Sequence, residues 1–576
     1  MTAKVKGDEA FVNFSKSRLQ GNDVDLNKTL KKMKLKTFSD AGKQTIKVKG
    51  KDVTLKSDRE LLARLVIIGK VRKVNLKSMM TYSLSPYPPA LATYEGCLVK
   101  TNKARLLHYL ESVPESSPVV DPPKGGVWVV DGMAMLQQMS SKGMPASMGQ
   151  LAEKILRQLV YLALSSTSNS VHFVTDTYPS ISIKGAERKR RAASGSQRIK
   201  ISKADQPVPK QWKKYLANSF NKEQLVHFLF NHWSTCGEDN FKGITLYVAH
   251  GKMCHSITPR NGTISIEEIP QLHSTQEEAD TRMLLHAYYI STQGIRSIII
   301  KSPDTDVFVI GVALVSHLVG SQLYFHTGRD DNVRTIDLQA IQQELGDDIA
   351  KAIIGLHCFT GCDSVSSFYG KGKTKAIKLL TQNKSFSHAC QMLGESFSIT
   401  DELVSLLEDF VCKLYSQQEY SHVNDARYSM FSMATRNESV MPPNRDALIK
   451  HVQRANFQAA VCKRSFDNHP DIPSPAGHGW KLIDGSLSIN WMEMQPAQQS
   501  ILELSRCTCK KSKCKASDAD DQCCVSLGLC CTELCECKNC DNMHVRDDDA
   551  EESEEEMDEV GDICFDEENF EEEESF

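Results

Sequence analysis

The chain has 576 residues, 40% hydrophobic and 24% charged, proportions ordinary for a soluble globular protein with room for two or three domains. The first residues, Met1 to Asp8, carry no apolar core of a secretory signal, and no stretch approaches the roughly 18 uncharged apolar residues of a spanning helix. Secreted and membrane-spanning classes are therefore not expected. The net charge of −3 conceals an asymmetry: the last 30 residues, from Asp547, hold 18 Asp and Glu and no Lys or Arg, and without them the balance becomes +15. A basic body favours a polyanionic partner. The tail reads equally as a solvated end or as a competitor for the same surface.

Residues 1–125 form a Lys-rich, partly ordered region, punctuated by Pro86-Tyr87-Pro88-Pro89 and by the prolines from Pro114 to Pro123. The first clear strand is Val127-Trp128-Val129-Val130-Asp131, an apolar run closed by an acid. A helix is predicted from Leu151 to Leu164, then a strand from Val171 that again ends in acid at Asp176. Further strands are predicted at Ile244 to Val248 and Ser297 to Ile300, with a helix between them from Ala279 to Tyr289. Apolar strands alternating with helices predict an α/β fold, a mainly parallel sheet flanked by helices, over residues 126–380. The apolar run Val307 to Val319 reads as core. Residues 381–503, including the amphipathic stretch Leu403 to Val411, read as a helical extension packed on that core.

Ligands of an open parallel sheet gather beyond the carboxyl ends of its strands. Asp131, Asp176, Asp304 and Asp306 all follow apolar strands, Glu278 and Asp280 open a helix, and Asp363 stands in Gly361-Cys362-Asp363. Converging carboxylates repel unless a cation joins them, and hard oxygen ligands suit Mg²⁺ or Mn²⁺. Two such ions about 4 Å apart activate water and stabilise the leaving oxygen of a phosphodiester. Each acid also has a plainer account. Asp131 and Asp176 could end strands, Thr275 with Glu278 could form a capping box, and Asp304 and Asp363 could cap helices.

In order and context these residues resemble the flap-endonuclease (PIN-like) nucleases. In that family an Asp follows the first strand and another precedes a basic arch. Glu-Ala-Glu then opens a helix, Asp-x-Asp follows a strand, and Gly-Cys-Asp precedes a helix-hairpin-helix. The matching residues are Asp131, Asp176, Glu278-Ala279-Asp280, Asp304-Thr305-Asp306 and Gly361-Cys362-Asp363. The resemblance implies a catalytic, two-ion Mg²⁺ or Mn²⁺ site made by Asp131, Asp176, Glu278, Asp280, Asp304, Asp306 and Asp363. It also implies nucleic-acid contacts by Arg188, Lys189, Arg190 and Arg191 at the arch entry, with further cations to Lys214. Arg188 to Arg191 read equally as a nuclear-import signal. Gly370-Lys371-Gly372-Lys373 matches the family's phosphate-binding turn, and Lys375 adds charge. Trp212 and Tyr215 are read as base-stacking or, more simply, as core. Two departures weaken a flap preference: the first acidic strand starts far into the chain, and Ser364 replaces an aromatic residue.

Ten of the 19 cysteines lie between Cys507 and Cys540. In an intracellular chain such density points to metal before disulfides. Residues 504–545 resemble one repeat of the tesmin/TSO1-type CXC domain. That implies Zn²⁺ held by Cys507, Cys509, Cys514, Cys523, Cys524, Cys531, Cys535, Cys537 and Cys540, with Gln522 standing where a fourth cysteine would align. Residues 546–576 are read as a disordered acidic tail. The combined expectation is a nuclear, or else cytoplasmic, metal-dependent nuclease with DNA as partner. A protein partner would bind through the zinc module or the tail, and no membrane is involved. The rivals are an inactive nuclease-like scaffold that binds DNA or protein through zinc, and an RNA-processing enzyme.

Overall fold

A computed structural model of the chain describes residues 11–12, 14–20, 43–48, 51–56, 75–139, 143–179, 182–183, 197–329, 332–416, 418–432, 438–483 and 485–497. The cysteine module, the acidic tail and Arg188 to Arg191 lie outside them. Residues 75–497 fall within one compact unit.

Nine strands make one sheet: β1 (Val119–Val120), β2 (Val127–Asp131), β3 (Ser170–Val174), β4 (Thr245–His250), β5 (Met253–Arg260), β6 (Thr263–Glu268), β7 (Ser297–Lys301), β8 (Gln322–Thr327) and β9 (Arg334–Asp337). Their order is β1-β9-β8-β7-β2-β3-β4-β5-β6. The five central strands, β8, β7, β2, β3 and β4, run parallel. Antiparallel strands close both sides. The mixed α/β architecture and its parallel centre are as expected. The antiparallel edge strands were not anticipated, because β6 is largely exposed and β9 is only four residues long, neither with a continuous apolar run.

The central strands are apolar because both faces are covered. Alternation along β2 sends Val127 and Val129 into one core and Trp128 and Val130 into the other. The first core is completed by α5 (Ala279–Thr292), α6 (Thr305–Leu314), α7 (Asp347–Phe359) and α10 (Arg445–Lys463). The second is completed by α2 (Gly132–Gln137), α3 (Met148–Ser165) and α4 (Ser219–Trp233). Polar groups taken inside find partners, as when the Trp128 indole donates to Ser166 Oγ at 3.0 Å. Residues upstream of the sheet join the first core through α1 (Ala104–Glu111), whose Leu106, Leu107 and Leu110 are buried. Downstream, α8 (Lys373–Gln382) and α9 (Asp401–Tyr415) pack there as well. No helix among the described residues is long and apolar enough to cross a membrane.

Candidate metal centre

Parallel strands present their carboxyl ends on one edge, and the chain turns there into helices that need caps. Asp131 ends β2 and caps α2, accepting from the Ala134 amide at 2.8 Å. Asp304 follows β7 and caps α6, accepting from the Asp306 amide at 2.9 Å. Capping and gathering are therefore the same act: a side chain placed to receive a helix-start amide also points at the common edge. Asp176, two residues past β3, accepts from the Ala279 amide at 2.8 Å and so ties that loop to the start of α5. Asp280 lies in the first turn of α5.

Carboxylate oxygens of Asp280, Asp304 and Asp306 come within 4.8 Å of one another. This is the donor set expected of a hard divalent ion. Asp131 feels the charges of Asp176 and Asp304, so the two halves of the acidic edge are electrically continuous. Burial, reinforced by those neighbours, pushes the Asp131 carboxyl up to about 7, against the opposing hydrogen bonds from Ala134 and Ser302. Burial and the charge of Asp306 push Asp304 up to about 6. At Asp304 the Lys103 ammonium opposes that rise, whereas at Asp131 the opposition comes from hydrogen bonds.

Three residues with no signal in the acidic pattern complete the site. Lys103, at the start of α1, places Nζ 2.6 Å from Asp363, 3.0 Å from Asp306 and 3.3 Å from Asp304. Burial works against its charge, but the three carboxylates outweigh burial and hold the ammonium above its usual range. One lysine in a Lys-rich region cannot be singled out by composition. Ser302 donates to Asp131 Oδ2 at 3.1 Å and accepts from the Asp304 amide at 3.1 Å, bridging the two halves. Its place in Ser302-Pro303-Asp304 is a turn signal that could have marked it. His357 Nε2 lies 2.9 Å from Asp306 Oδ1, and burial with the nearby Lys373 charge lowers its pKa to about 4. A neutral imidazole donating through Nε2 fits that contact.

Other expected residues fall differently. Glu278 is the capping residue of α5 but makes no side-chain cap, and the helix begins only at Ala279. The Thr275–Glu278 capping box therefore does not form. Lys373 does not face a phosphate. It is buried, donating to His357 O at 2.8 Å and Thr360 Oγ1 at 3.0 Å, and burial lowers its pKa to about 8. Gly372 caps α8 and Gly370 takes φ +66°, so the glycine turn does open a helix, with Lys375 exposed. No helix forms between α7 and α8, so Asp363 lies inside their connection rather than ahead of a helix-hairpin-helix. Trp212 and Tyr215 are core. Arg198, Lys200, Lys203, Lys210, Lys213 and Lys214 are exposed. A cleft of about 490 Å³ opens beside Asp176, lined also by Tyr178, Glu223, His227, His250 and Thr275.

No protein-family model and no curated protein matches the chain. Among solved structures, the chain is similar to the bacteriophage T5 flap endonuclease, in a pseudo-enzyme-product complex with DNA and metal ions. The two share 13% identity over 59% of this chain and 99% of that one, with a TM-score of 0.29.

Proposed function

We propose that this protein is a divalent-metal-dependent nuclease of the PIN/flap-endonuclease type, hydrolysing phosphodiester bonds in DNA or structured nucleic acid. The observation that carries the reading is the meeting of Asp280, Asp304 and Asp306 at the carboxyl edge of a parallel sheet, with Asp131 and Asp176 adjoining. These oxygen donors would hold Mg²⁺ or Mn²⁺, with Asp131 and Asp176 serving a second ion and Glu278 and Asp363 completing the set. Bound there, the ions would supply an activated water and charge for the leaving oxygen. The protein's own part is orientation. Ser302 fixes Asp131 relative to Asp304, and His357 fixes Asp306.

Exposed cations from Arg198 to Lys214, with Arg188 to Arg191, would follow the phosphate backbone, and Gly370, Gly372 and Lys375 would meet it at the start of α8. The cysteine module would bind Zn²⁺ and hold DNA or a protein partner, in keeping with a nuclear protein. One observation favours a second reading, that of an inactive nuclease-like scaffold: Lys103 already places a positive charge among the acids.

The test is cleavage of flap, hairpin and linear DNA and RNA with Mg²⁺ or Mn²⁺, comparing the wild type with Asp304→Asn plus Asp306→Asn. Metal-dependent cutting abolished by the double substitution is expected. Cutting that survives it would remove the site from the reaction, and no cutting of any substrate would select the scaffold.

A further inference from the structure

Lys103 is not a surface side chain that happens to bend inward. The strand of chain before it is fastened to the segment that bears Asp363: the Ser367 amide and hydroxyl both donate to Val99 O, at 2.8 and 3.0 Å. Lys100 Nζ donates to the Asp363 carbonyl at 2.9 Å. Across Lys103, the Ala104 amide donates to Asn102 Oδ1 at 3.0 Å and helps start α1. At the far end of α1, Glu111 takes two bonds from the Arg334 guanidinium on β9, at 2.6 and 3.1 Å. Three buried leucines hold the helix between. The backbone of Lys103 is thus anchored on both sides, and its side chain is less than a quarter exposed.

Two of the three acids that form the candidate ion site, Asp304 and Asp306, give an oxygen to the Lys103 ammonium. An ion on those oxygens and an ammonium within 3.3 Å of them would repel each other in a partly buried setting, where screening is weak. We infer that Lys103 is a resident cation that competes with a divalent ion for Asp304 and Asp306, so that ion entry requires its ammonium to leave them. The inference rests on the metal-site reading above. It adds that the acids are charge-compensated before any ion arrives, and that the protein sets its own ion affinity through a residue upstream of the sheet.

The test compares Mn²⁺ binding, read as loss of the free-ion paramagnetic resonance signal, in full-length wild type, Lys103→Met and Lys103→Arg, each already loaded with zinc. Lys103→Met is expected to bind Mn²⁺ at least about tenfold more tightly, the scale on which supporting partners tune metal affinity. Lys103→Arg, which keeps the charge, should stay near the wild type. Before Mn²⁺ is added, the melting temperature should be lower for Lys103→Met than for wild type and be restored by Mn²⁺, and a variant that folds only with Mn²⁺ is the extreme of the same result. Equal affinity in wild type and Lys103→Met would overturn the competition while leaving the metal site standing. Weaker binding by Lys103→Met would overturn it too, since the lysine would then be assembling the site. A variant unfolded with and without Mn²⁺ would do the same, because no ion would be replacing its charge. No saturable binding by wild type or Lys103→Met would instead bring down the metal reading, and the inference with it.

Discussion

Asp131 and Asp304 perform the same local task and are held in opposite ways. Asp131 ends a central parallel strand, Asp304 lies three residues beyond another, and each caps the helix that follows. Asp131 is surrounded by an amide, a hydroxyl and apolar core, and burial keeps its carboxyl reluctant to ionise. Asp304 shares the Lys103 ammonium with Asp306 and Asp363, so its half of the edge carries a counter-charge of its own. Capping explains where both side chains point, because a helix-start amide needs an acceptor there whatever the site does. It leaves open how their charge is met. Asp131 is met by hydrogen bonds, and Asp304 by a resident ammonium.

The largest expected effect separates the two halves. Asp304→Asn with Asp306→Asn removes two direct donors from the candidate ion site. Loss of a supporting partner alone costs about 10–100-fold in ion affinity, so losing two donors should cost more than about 100-fold by calorimetric Mn²⁺ titration. Ser302→Ala comes next, since its hydroxyl touches both halves. A loss of about 10–100-fold in ion affinity is expected. A stability cost of about 1–3 kcal/mol should accompany it in urea unfolding, because the Asp304 amide loses its acceptor. An unchanged affinity would mean that the halves are set independently. Gly361→Ala should disturb the Lys103 half alone. Gly361 has φ +110°, and a Cβ there would meet Ser367 backbone atoms at 2.8 Å, so about 1–3 kcal/mol of strain would fall on the segment carrying Asp363. Mn²⁺ affinity should drop less than in Ser302→Ala, because Asp131 keeps its partners.

What could be read in the chain divides along the same line. The apolar runs at Val127 and Ser297 are visible because central parallel strands are buried on both faces, and the acids beyond them are visible because they follow at once or after a short turn. Long amphipathic helices such as Leu151 to Leu164 are visible for a similar reason: one sustained period fixes them. The antiparallel edges were hidden, since β6 is largely exposed and has no apolar signature. Lys103 was hidden for a different reason. It lies 201 residues from Asp304 and 260 from Asp363 in the chain, and only the packing of α1 brings it to them. Lys373 shows the converse: a lysine after Gly-x-Gly has the look of a phosphate ligand, yet the His357 carbonyl near the end of α7 and the Thr360 hydroxyl claimed it. Local pattern reports what a residue can do nearby and is silent on which distant group reaches it first.

The last effect, and the one that most sharpens the contrast, is a pH dependence confined to metal-free protein. In the unfolded chain Asp131 should titrate near 3.9, whereas in the fold burial raises it to about 7. Below pH ~4 both states hold the proton, and the stability this group contributes is fully present. As pH rises from about 4 the unfolded chain releases its proton freely while the native carboxyl does not, so stability is lost until the native group also ionises near 7. The slope for one proton is at most about 1.4 kcal/mol per pH unit. Asp131→Asn keeps an acceptor for the Ala134 amide but cannot titrate. In EDTA, its melting temperature relative to wild type should therefore climb between pH 5 and 7 and level off above. Saturating Mn²⁺ should reverse the order of the two proteins at pH 7.5, because an ion on the edge rewards the carboxylate that burial alone penalises. A difference that stays flat across pH 5–7 in EDTA would mean that a cation also meets Asp131, as Lys103 meets Asp304, and the distinction between the two halves would disappear.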